Sequence, residues 1–62
     1  MCESNAYLIK DGKEELIMEL VDILEPVEKE EYRLVDIFGA QKTIKARIKG
    51  MNLLNHKILF EE

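Results

Sequence analysis

The chain has 62 residues, too few for more than one domain, and a chain of this size hides only about 60% of the surface its unfolded form exposes. With 47% hydrophobic and 35% charged residues it has the make-up of a globular protein and not of a disordered one. The net charge of −4 weighs against nonspecific contact with nucleic acid or anionic lipid, the single cysteine excludes an internal disulfide, and no apolar run approaches the roughly 18 residues of a membrane-spanning helix.

A core this small needs a metal, a partner chain or unusually good packing. The opening residues lack the basic and then apolar segments of a signal peptide. A cytoplasmic location is therefore expected, and it suits a free thiol. In chain order, Ala6–Ile9 reads as a strand. Asp11-Gly12 follows as a two-residue hairpin turn, since both positions tolerate φ > 0. Glu14 to Glu25 fits two descriptions: Ile17, Leu20, Val21 and Leu24 follow the helical period, while the preceding hairpin favours a strand over Glu14–Met18, a turn at Glu19-Leu20 and a second strand over Val21–Glu25.

Pro26 and the charged run Glu28 to Glu31 mark the next turn. Tyr32–Phe38 is the following strand, and Gly39-Ala40-Gln41 the turn after it. Lys42–Lys49 alternates most clearly: Ile44, Ala46 and Ile48 share one face, and Thr43, Lys45, Arg47 and Lys49 the other. Gly50 and the Asn52–Asn55 stretch are turns, and His56–Phe60 is a last strand. Turns at this spacing predict a single all-β domain over residues 1–62, a small barrel or sandwich of six or seven short antiparallel strands.

The distinctive chemistry is at Cys2. Removal of the initiator Met would make it the N-terminus, where its amine and thiolate can chelate one metal ion. Square-planar nitrogen and sulfur donors suit nickel(II) or copper(II), and nickel is the more compatible with a reducing cytosol. One chain supplies only two of the four donors, so a metal here predicts a homodimer with one ion shared between protomers. Without a metal, Cys2 is an ordinary residue on a frayed end. His56 is the sole histidine; imidazole also suits nickel, but it lies in a turn far along the chain and reads as a surface residue. Lys45, Arg47 and Lys49 form a basic face that could contact phosphates of RNA, or simply be solvated. No Gly-rich phosphate loop and no metal-binding His-Glu helix is present, so no enzyme activity is expected.

Several stretches make the chain familiar in their order: Met1-Cys2, Ala6-Tyr7-Leu8, the Asp11-Gly12 turn, Val21-Asp22-Ile23-Leu24, Tyr32 through Gly39, and Asn55 through Glu61. This succession resembles the CooT family of small nickel-binding proteins, also labelled predicted RNA-binding proteins, over essentially the whole chain. The resemblance implies a compact, mostly β homodimer, strand in the ambiguous Glu14–Glu25 segment, and one nickel(II) per dimer held by Cys2 at the interface. It implies a metallochaperone or nickel store, with carbon monoxide dehydrogenase as a possible client. Hydrogenase-maturation chaperones also begin Met-Cys, but they continue with a Gly-x-Pro stretch where this chain reads Glu3-Ser4-Asn5-Ala6.

Overall fold

The computed structural model describes residues 4–52 and 54–62. They form six strands: β1 (Ser4–Lys10), β2 (Lys13–Glu28), β3 (Glu31–Asp36), β4 (Gln41–Lys45), β5 (Arg47–Asn52) and β6 (Lys57–Glu61). All belong to one sheet in the order β4-β3-β2-β1-β6-β5. The all-β expectation holds. One pairing departs from the expected antiparallel set: β1 and β6 run parallel, Asn5 opposite Lys57 through Ile9 opposite Glu61.

The Asp11-Gly12 hairpin forms as predicted, with φ of 53° and 77° at its two residues and Lys10 opposite Lys13. Its second strand runs further than the sequence suggests. β2 has 16 residues, and in place of the expected Glu19-Leu20 turn it bends at Leu20, where φ is 53°. Ser4 faces Val21 while Ala6 faces Met18, so Asn5 alone stands opposite two residues of β2, which is a bulge. Beyond the bend β2 leaves β1 and pairs with β3, from Val21 opposite Asp36 to Glu28 opposite Glu31. That half of β2 is hydrogen-bonded on one side only. Pro26 is therefore tolerated within the strand, where the sequence suggested a turn; the turn comes at Lys29-Glu30.

The expected single strand over Lys42–Lys49 is split at Ala46. β4 and β5 stand at opposite ends of the strand order, yet one residue joins them. A flat sheet of six strands would hold its outer strands about 24 Å apart, and a single residue reaches only about 7 Å. The sheet must therefore curl until its two ends meet at Ala46. The alternation predicted across this segment survives the break: Ile44, Ala46 and Ile48 turn inward, and Lys45, Arg47 and Lys49 are exposed. Gly50, expected to be a turn, lies within β5 at a register shift against β6.

Inside the curl lie Ala6, Met18, Val21, Leu34, Ala46, Ile58 and Phe60. Leu34 and Phe60 are the fully buried large side chains. The Phe60 ring meets Tyr32 with centroids 5.6 Å apart at 56°, a tilted contact that adds about 0.5–1.5 kcal/mol to burial alone. The core is thin, as the length implies.

Candidate metal centre

Cys2 lies outside the described residues. The chain enters the structure at Ser4, which is only 6% exposed and stands between Val21 on β2 and the start of β6. β1 occupies the middle of the strand order, so the first described strand lies within the sheet and not along a free edge.

Asn5 ties the start of β1 to two other segments and, through Leu20, to a third. Its backbone N–H donates to the His56 carbonyl at 2.8 Å. Its side-chain Oδ1 accepts the Leu20 N–H at 3.1 Å. The Leu20 carbonyl in turn accepts the Ile37 N–H at 3.0 Å. Both backbone groups of the bend residue are thus used, one by the start of β1 and one by the turn after β3. Satisfying them is what allows a half-buried strand to leave its partner without orphaned polar groups.

His56, distant from the N-terminus in sequence, sits at the same end of the molecule as Ser4 because β1 and β6 start side by side. Its φ is 54° and its side chain is exposed. No local signal announces this proximity, since it follows from a parallel pairing between the first and last strands. Beside Ser4 is a mainly apolar cavity of about 140 Å³, formed with Val21, Leu24, Met51 and Ile58, and with Asp22 and Lys57 as its charged members. Among the described residues no group of three or more His, Cys, Asp or Glu side chains could hold a metal ion. The described part of the chain therefore offers no self-contained metal cage.

The basic face has a different setting. Lys45 stands opposite Glu31 on β3, and Arg47 opposite Glu61 on β6 with Nη2 3.9 Å from the carboxylate. Two of the three cations thus have an acidic cross-strand neighbour, which reduces the field a phosphate backbone would meet. Lys49 lies at the β5 register shift, without a direct partner across the ladder. No helix among the described residues is long and apolar enough to cross a membrane.

Comparison with known proteins agrees with the resemblance read from the residues. A family model described as CO dehydrogenase accessory protein CooT matches residues 1–61. A crystal structure assigned to CooT from Carboxydothermus hydrogenoformans superposes with a TM-score of 0.90 at 48% sequence identity, covering 98% of this chain and 97% of that one. No curated protein matches the chain at a significant level.

Proposed function

The chain belongs to the CooT family, and from that premise we propose that it is a cytoplasmic nickel(II)-binding homodimer, a metallochaperone or store serving carbon monoxide dehydrogenase maturation. The Cys2 thiolate is the metal ligand. Two protomers contribute two thiolates and two nitrogen donors to one shared ion, a set that suits square-planar nickel(II). The role is one of holding and handing over an ion, without catalysis.

The observation that carries this reading is the family match over residues 1–61, which includes Cys2. The anchoring of Ser4 supports it. Ser4, two residues along the sequence from Cys2, is buried beside Val21 at the start of β1, and a donor on a short tether to a packed strand loses less entropy on binding a metal than one on a long loose tail.

Native mass spectrometry of the untagged protein, with and without nickel, tests the proposal in one measurement, because it reports Met1 removal, oligomeric state and metal count together. One nickel per two chains is expected. Thiolate-to-nickel charge-transfer absorption should accompany it and vanish in Cys2→Ala, with the β-sheet circular dichroism unchanged. One tight site per single chain, or undiminished nickel binding by Cys2→Ala, would overturn the shared-thiolate arrangement.

A further inference from the structure

The cavity beside Ser4 lies where β2 carries one residue more than its partner. Val21 stands opposite Asp36 and Ile23 opposite Val35, so Asp22 is the extra residue of a bulge, a device that re-aims a side chain. Asp22 borders the cavity and is exposed. It has no ion pair among the described residues. The rest of the wall is mainly apolar, with Val21 and Leu24 from β2, Met51 from β5 and Ile58 from β6. An apolar space of about 140 Å³ takes one compact hydrocarbon group, about the bulk of a six-carbon ring.

Two polar groups meet this apolar wall. Ser4 is only 6% exposed, and its hydroxyl makes no hydrogen bond among the described residues. A buried hydroxyl of this kind normally has a partner. Ser4 stands opposite Val21, next in the chain to Asp22, so one donor group can reach both oxygens. Lys57 also borders the cavity, but its ammonium is engaged elsewhere, 3.0 Å from the Glu14 carboxylate and 5.1 Å from the centre of the Tyr7 ring. The charge left to select a ligand is therefore negative. An apolar pocket with a few convergent polar groups is the usual form of a small-molecule site.

We propose that this cavity binds a small primary amine with a compact hydrocarbon body. The hydrocarbon packs against Val21, Leu24, Met51 and Ile58. The ammonium donates to the Asp22 carboxylate and to Ser4 Oγ. Apolar burial supplies most of the affinity, and Asp22 chooses the head group. Neither Cys2 nor a metal takes part, so the site stands apart from the nickel site proposed above.

Titration of the full, metal-free chain with cyclohexylamine, followed by amide chemical shifts in nuclear magnetic resonance, tests the assignment. At neutral pH an alkylamine is protonated, as lysine is. Cyclohexanol has the same body without the charge, and cyclohexanecarboxylate has the opposite charge. Saturating shifts are expected at Ser4, Asp22, Leu24 and Ile58, with the amides of Phe38 and Lys42 unmoved. The amine should bind most tightly and the carboxylate least. Asp22→Asn, at an exposed position, should weaken the amine about two- to fivefold and leave cyclohexanol unchanged, and added salt should shrink that difference. Circular dichroism verifies the fold of the variant. Shifts that do not saturate, or that fall on other parts of the sheet, would overturn the site. Equal affinity for the amine and the carboxylate, or an amine affinity unmoved by Asp22→Asn, would overturn the choice of amines.

Discussion

Asn5 Oδ1 accepts the Leu20 N–H at 3.1 Å, across a bulge where one residue of β1 stands opposite two of β2. A side chain there replaces a missing rung of the ladder. It gives the Leu20 N–H a partner where β2 bends, leaves β1 and turns to β3. The same asparagine anchors the start of β1 to the His56 carbonyl, so the bend that shapes the fold and the meeting of the first strand with the last share one residue.

Asn5→Leu removes the acceptor and leaves a half-buried N–H without a partner, at a cost of about 1–3 kcal/mol. Asn5→Asp keeps an acceptor in place and should stay within about 0.5 kcal/mol of wild type. Urea midpoints distinguish the two outcomes. Equal stability of wild type and Asn5→Leu would show that the bend is held by packing alone.

Asp36 performs the equivalent task at the other end of β3, with one carboxylate oxygen accepting two backbone N–H groups. Asp36→Ala should lower stability by about 1–2 kcal/mol, which lowers the melting temperature by roughly 4–8 °C per kcal/mol in a domain of this size. It should also loosen the turn that holds the exposed Phe38 in place. Asp36→Asn, which keeps one carbonyl oxygen, should recover most of the melting temperature. A normal melting temperature in Asp36→Ala would assign the turn's rigidity to Gly39 instead.

Two residues with positive φ should respond to substitution with opposite signs. Gly12 has φ of 77° and open space around it, so Gly12→Ala meets no clash but forces a side chain into the left-handed region, costing about 1–2 kcal/mol. Glu30 already bears that strain, with φ of 57°, on an exposed turn crowded with Glu28 and Glu31. Glu30→Gly should therefore stabilise the protein by about 0.5–1 kcal/mol despite the more flexible unfolded chain. Chemical denaturation of both variants measures the pair; a loss of stability in Glu30→Gly would refute the strain argument.

The element types were legible in the sequence because their signals are local. Asp11-Gly12 encodes its turn by conformational permission, and Ile44, Ala46 and Ile48 encode an inward row by parity. That parity is also why the break at Ala46 was hidden: a corner that keeps the alternation leaves no trace in it. Leu20 was hidden for a related reason, since leucine at positive φ is stabilised by Asn5 and Ile37, residues 15 and 17 positions away. The parallel pairing of β1 with β6 is a relation between the chain's two ends, and nothing local to His56 announces that Asn5 is its neighbour. Family resemblance pointed to Cys2, a residue that carries no periodic signal. The apolar patch at Phe38 could have been suspected from Asp36 and Gly39 flanking it, a turn signal that contradicts a buried strand.

Lys57 ties three elements together in a way that depends on pH. Its ammonium lies 3.0 Å from the Glu14 carboxylate and 5.1 Å from the centre of the Tyr7 ring. The hydrogen bond and then the charge of Glu14 hold its pKa above the ordinary 10.5, with a smaller contribution from Tyr7. The folded protein therefore keeps this proton more tightly than the unfolded chain. The resulting stability is fully present below the ordinary lysine pKa, and it is lost as pH rises through the higher folded value. Because the pair is solvent-exposed, the effect is small and screened by salt. Urea midpoints measured between about pH 9 and 12 at low ionic strength should fall more steeply for wild type than for Glu14→Gln, and added salt should bring the two curves together. Parallel curves at low salt would mean that Lys57 gains nothing from Glu14 on folding, leaving its contact with the Tyr7 ring as the remaining side-chain interaction of its ammonium.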